Sequence, residues 1–149
     1  MAGRLPPPTR KIIVEPFAGS AGYSLRHPAL QVQLWDLDPV ICGVWEYLIG
    51  VTPLEILALP DLLAGQSVDD LHVCQEARHL IGFWLNKGTA HPCKTPGKWA
   101  RDPRHQKHPC NFWGPGIRSR IASQVPMIRH WTINHGSYET IPDQDATWF

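Results

Sequence analysis

The chain has 149 residues, of which 43% are hydrophobic and 18% charged, with a formal net charge of +1. That length allows one domain with a core of its own, and the balanced charge announces no polyanion partner for the chain as a whole. No apolar run approaches the roughly 18 residues of a membrane span, and the opening residues lack the apolar core of a signal peptide. A soluble, cytoplasmic protein is expected, with Cys42, Cys74, Cys93 and Cys110 as thiols rather than disulfides.

In chain order, residues 1–10 read as a flexible or extended leader. Lys11 to Glu15 is a buried strand by its Ile-Ile-Val run, and Pro16 stops it. Ser20 or Gly22 can begin a short helix that ends near His27-Pro28. Gln31 to Trp35 is a second strand. Asp38-Pro39 is a helix start, an N-cap followed by proline at the first helical position, and Gly50 closes that helix. Its apolar face carries Ile41, Val44, Trp45, Leu48 and Ile49. Thr52-Pro53 opens another helix in the same way, interrupted by Pro60. Residues 71–86 read as a helix with Val73, Ala77, Leu80, Ile81 and Leu85 inward. From Lys87 to Pro115 the pattern dissolves into a long loop. Ile117 to Ile128 is a helix with Pro126 late in it, Trp131 to Asn134 is short and β-like, and Ala146 to Phe149 begins a further strand.

The first two strands and their turns hold the chemistry. An apolar run ends at Glu15 and opens into the small-residue turn Pro16-Phe-Ala-Gly-Ser-Ala-Gly22; a second run ends at Asp36. That is the layout of a nucleoside-binding βαβ unit, in which the first turn passes under the ligand and the second acid meets a ribose. The spacing Gly19-x-x-Gly22 is one glycine short of a dinucleotide fingerprint. Glu15 would repel a pyrophosphate and attract a cation, such as the ammonium and sulfonium of S-adenosylmethionine. Asp36 is placed to accept from both ribose hydroxyls. The alternative is that both acids are merely polar strand ends.

Glu15-Pro-Phe-Ala-Gly-Ser-Ala-Gly22 and Trp35-Asp-Leu-Asp-Pro39 resemble the cofactor motifs of DNA adenine-N6 methyltransferases of the Dam-like, phage-encoded kind. The resemblance is good over residues 11–48 and loose beyond. It implies an α/β, Rossmann-like S-adenosylmethionine-dependent fold with helices on both faces, in a bacterial or phage-infected cell. It assigns cofactor binding to Glu15, Pro16, Phe17, Ala18, Gly19, Gly22, Asp36 and Leu37, with Ala21 standing where the family has a second glycine. The Ile133-Asn-His-Gly-Ser-Tyr138 turn matches loosely the segment that edges the cofactor's adenine, which nominates Ser137.

The organisation that follows is a leader over 1–10, a cofactor-binding half over 11–50, a helical and basic-loop insertion over 51–120, and a return to the sheet over 121–149. The basic region 87–120 contains Lys94, Lys98, Arg101, Arg104, Lys107 and Arg118, with Asp102 its single acid and Trp99, Phe112 and Trp113 interleaved. Cations with aromatics suit a polynucleotide. The insertion also falls where this family carries its target-recognition region, so double-stranded DNA is the expected partner. His91-Pro-Cys93 and His108-Pro-Cys110 raise a zinc reading, but the spacing is not that of a standard finger, and surface His with half-buried Cys is favoured.

In the family, an Asp-Pro-Pro-Tyr run accepts from the target amine and stacks on a flipped-out adenine. This sequence lacks that run. The expectation is the front part of a methyltransferase, inactive alone, its sheet incomplete and open to self-association or to a C-terminal counterpart chain. Two other readings stay open. One is a nucleic-acid-binding module of the same fold without catalysis; the other is a methyltransferase for RNA or a small molecule, with the insertion as a lid.

Overall fold

A computed structural model describes residues 5–106 and 112–149. Length alone allowed one domain, but the chain forms two compact units, Met1–Gly50 with Met127–Phe149 and Val51–Pro126. The second unit is an insertion in the connection between two strands of the first. It has its own buried cluster of Val68, Leu71, Ile81 and Leu85, which is why it closes on itself.

The first unit is α/β, built on a four-stranded parallel sheet in the order β3-β2-β1-β4. Strand β1 (Ile12–Glu15) is central, with Ile13 and Val14 sealed from solvent. It pairs with β2 (Gln31–Asp36) from Ile12↔Gln31 to Glu15↔Leu34. β3 (Thr132–His135) pairs with β2 up to Asp36↔His135, and β4 (Thr147–Trp148) pairs with the other side of β1. Because all strands run the same way, Glu15, Asp36 and His135 end at one edge. Strands β1 to β3 step outward in one direction and β4 lies on the opposite side, so the order reverses at β1. Open α/β sheets bind ligands outside the carboxyl ends of the strands at such a reversal.

Helix α1 (Pro39–Gly50) has the bounds its caps predict. Asp38 Oδ1 accepts from Val40 N at 2.9 Å, and Val44, Trp45 and Leu48 form the buried stripe that packs on β2 and β3. The β1–β2 connection differs from expectation: a 3-10 turn, Ser24–Arg26, stands in place of a helix from Ser20 or Gly22. Left-handed residues at 19 and 21 break any earlier helical turn. The β3–β4 connection is likewise a 3-10 turn, Tyr138–Thr140, with Gly136 packed so closely on the Trp35 ring that a Cβ would lie 3.4 Å from it. The side-chain amides of Gln144 and Gln33 pair at 3.0 Å. Among its described residues unit 1 therefore has one α-helix, with 3-10 turns at Ser24–Arg26 and Tyr138–Thr140 rather than helices on both faces. The leader forms no helix or strand over its described residues, and Tyr23 Oη donates to Pro6 O while the backbone N–H groups of Thr9 and Arg10 donate to Thr147 Oγ1.

In the second unit, α2 (Pro53–Leu57) begins with a reciprocal Thr52–Glu55 capping box and packs on α6 (Pro115–Gln124). Helix α3 (Gln75–Phe83) is shorter than the 71–86 expected. Ser67 and Asp70 cap a separate 3-10 turn, and Arg78 donates to the Leu71 carbonyl, holding that segment out of the helix. The loop expected over 87–115 includes two short helices, α4 (Lys98–Arg101) and α5 (Pro103–Gln106). After α6 the chain tightens to a 3-10 turn, Val125–Ile128, because Pro126 has no N–H to continue the α ladder. Among the described residues no helix is long and apolar enough to cross a membrane.

Candidate functional site

The loop after β1 is fixed from three directions. Ala18 N donates to Trp35 O at 2.9 Å, Gly19 N to Asp36 Oδ2 at 3.1 Å, and Trp45 Nε1 to Gly19 O at 2.8 Å. Gly19 takes φ +45° and Ala21 φ +49°, both left-handed. Glycine adopts that region without penalty; alanine does not. Gly22 is an ordinary turn residue, since its φ is not left-handed and a Cβ there would meet only Ser20 Oγ at 3.8 Å. The loop's second conformational demand thus falls on Ala21 rather than on Gly22.

Asp36 joins two backbone segments. Its Oδ2 holds Gly19 N, and its Oδ1 holds Asp38 N at 2.9 Å. A carboxylate offers about four acceptor directions, so each oxygen keeps capacity for a ligand hydroxyl while the loop stays bound.

Glu15 closes β1 and is bound within the turn that follows it. It is only 5% exposed. Its Oε2 accepts from Ser24 N at 3.2 Å and from the Ser24 hydroxyl. Burial pushes its carboxyl above the ordinary range, opposed by hydrogen bonds from Ser24 and the Tyr23 backbone. These contacts tie the carboxylate's Oε2 to the backbone and hydroxyl of Ser24. Glu15 anchors the loop.

Above these groups, Phe17 is 71% exposed and Leu37 63%, with Tyr138 also exposed. The Phe17 and Tyr138 rings lie 5.7 Å apart at 45°. These exposed apolar side chains flank the polar anchor that Asp36 provides. The Ser137 hydroxyl is engaged as the cap of the 138–140 turn, accepting from Glu139 N at 3.3 Å, so its neighbour Tyr138 makes the contact with Phe17. His135 Nε2–H donates to Leu37 O at 2.9 Å, and Gly136 N to Asp36 O, tying β3 to the same edge. Beneath it, the Cys42 thiol donates to Asp36 O at 3.5 Å. Burial and then the charges of Asp36 and Asp38 push that thiol up.

Glu15, Pro16, Phe17, Ala18, Gly19, Gly22, Asp36, Leu37 and Ser137 therefore surround one end of the sheet. Sequence reasoning missed Ser24, Trp45 as a loop ligand, and Tyr138. Trp45 was legible only as part of an apolar helix face, and nothing in the spacing marks Ser24.

The basic residues of the second unit are sorted by their partners. Lys94 pairs with Asp69 at 2.6 Å, Arg104 with Asp102 at 2.6 Å, and Arg118 with Asp61 while lying over Trp113. Lys98 and Arg101 make no ion pair among the described residues. Lys107 lies outside the described residues. A cavity of about 650 Å³ in this unit is lined mainly by Leu62, Leu63, Leu85, Phe112 and Trp113, with Arg101 at it. Among the described residues its lining includes no acid, cysteine or histidine. No group of His, Cys, Asp or Glu that could hold a metal occurs among the described residues, and the triplet 108–110 lies outside them. Comparison of the chain with protein families and with curated proteins finds no match.

Proposed function

We propose that the carboxyl edge of the sheet binds S-adenosylmethionine, and that the chain is the cofactor- and target-binding part of a site-specific DNA adenine-N6 methyltransferase. The observation that carries this is Asp36. It ends β2 beside the point where strand order reverses, grips the Gly19 loop, and keeps lone pairs for two vicinal hydroxyls. The exposed faces of Phe17, Leu37 and Tyr138 suit a purine ring next to that ribose. Residues 15–22 contain no Lys or Arg to balance a pyrophosphate, which favours an uncharged or cationic nucleoside over a dinucleotide. Glu15, hydrogen-bonded to Ser24, shapes the loop that passes under the cofactor.

When bound, the sulfonium supplies an electrophilic methyl group. Transfer to an adenine amine also needs acceptors for the amine protons and a surface for the flipped base. The Asp-Pro-Pro-Tyr run that serves this in the resembled family is absent from the 149 residues, so catalysis requires groups from elsewhere, such as a C-terminal counterpart chain. A second reading, a nucleic-acid-binding module of the same fold without catalysis, predicts DNA affinity without cofactor affinity.

Calorimetry with S-adenosylhomocysteine tests the cofactor site. The wild-type chain binds, and Asp36→Ala weakens binding by about 1.5–3 kcal/mol, roughly ten- to a hundredfold. Wild-type chain that takes up no ligand at high concentration excludes the reading. Labelled S-adenosylmethionine with duplex DNA gives no methyl incorporation by this chain alone; robust incorporation would overturn the assignment of missing catalytic groups.

A further inference from the structure

We propose that the turn Lys98–Trp99–Arg101 is a stacking site for an unpaired nucleotide of a DNA strand, with the indole under the base and the two cations at the flanking phosphates. The fold singles out this turn by elimination. Of the three aromatics interleaved in the basic region, Phe112 lies under Lys87 and Trp113 under Arg118, each ring 5.8 Å from its cation. Trp84 is similarly faced by Arg120. Trp99 is instead 62% exposed and stacked on one face by His105, with ring centroids 3.6 Å apart and 12° between planes.

That stack is held in place, since His105 Nδ1 is 3.2 Å from the Trp99 carbonyl. One face of the indole is thus supported by the protein and the ring is ordered before any ligand arrives, which lowers the entropic cost of stacking. Helix α4 turns Ala100 inward and Lys98, Trp99 and Arg101 outward. The neighbouring acid, Asp102, is engaged by Arg104. An exposed π-face on the same short helix as two cations, with the local acid already paired, suits a base and its neighbouring phosphates. A duplex hides its base faces, so the site selects unpaired nucleotides. The inference rests on the nucleic-acid part of the proposed function and is independent of the cofactor site.

Fluorescence anisotropy of the full chain with a labelled oligothymidylate and with a labelled duplex of equal length tests it. Trp99→Ala is expected to weaken oligothymidylate binding by about five- to a hundredfold and duplex binding by less than about twofold, while Trp99→Phe, which keeps a π-face, stays near wild type. Lys98→Ala with Arg101→Ala should lower the slope of log affinity against log salt by about one to two. Equal binding of oligothymidylate by Trp99→Ala and wild type overturns the inference and leaves the nucleic-acid reading standing. An equal loss on both DNAs also overturns it, because a stacking site acts on the unpaired strand. Wild-type chain that binds neither DNA overturns both.

Discussion

Glu15 carries the most consequential single interaction of the loop, and its charge state is open to test. Burial raises its folded pKa above the unfolded value, so the native state holds the proton more tightly. From this group alone, stability is fully present below the unfolded pKa and is lost as pH rises through the folded one. In Glu15→Gln that titration is gone. The difference in stability between variant and wild type should therefore drift in the variant's favour as pH rises across the acid range and then level off. Urea melts at a series of pH values read this directly; a flat difference would show an ordinary carboxyl. Glu15→Ala is a harsher change, leaving the Ser24 N–H and hydroxyl without acceptors at a cost of about 2–4 kcal/mol. Ala21 is the other sensitive position. Its left-handed backbone is strained by roughly 1–2 kcal/mol, yet its methyl is fully buried. In Ala21→Gly, lost strain and lost burial should offset to within about 1 kcal/mol. Ala21→Val, branched and overpacked, should cost about 2–4 kcal/mol in the same melts.

Among the elements, α1 connects sheet to loop through one indole N–H. Trp45→Phe keeps the buried ring on β2 and β3 and removes the donor to Gly19 O. The expected loss of stability is about 1 kcal/mol, with faster amide hydrogen exchange at residues 18–21 as the specific sign of a freed loop. A uniform change across α1 would instead indicate lost packing. The same helix shows what local chemistry can and cannot reveal. Its bounds follow from Asp38-Pro39 at one end and Gly50 at the other, and β1 and β2 from short apolar runs closed by an acid, all features that act over a few residues. The direction of the Glu15 carboxylate depends on Ser24, nine residues away across a turn with left-handed backbone. Which cations of the basic region are paired depends on Asp61 and Asp69, contributed by segments 57 and 25 residues distant. Helix α3 fell short of its periodic pattern for a similar reason, since Arg78 and the Ser67–Asp70 box organise the preceding segment on their own.

At the scale of the whole molecule, the sheet ends in a two-residue strand whose outer side meets no other strand among the described residues. An unpaired parallel edge offers backbone groups to another chain, and Trp148 and Phe149 add exposed apolar surface beside it. Concentration-dependent association is expected, visible as a rising sedimentation coefficient across a dilution series. The strand's hydrogen-bond pattern supplies a clean variant. Phe149 N donates to Val14 O, so by strand alternation the Trp148 N–H points outward. Trp148→Pro removes that outward donor, keeps the bonds to β1, and demands of Thr147 only the extended backbone it already has. The variant should stay folded, with its melting temperature within a few degrees of wild type, and sediment as a monomer at concentrations where the wild type associates. Association that persists unchanged would move the contact away from this edge and remove the structural basis for a counterpart chain completing the sheet there.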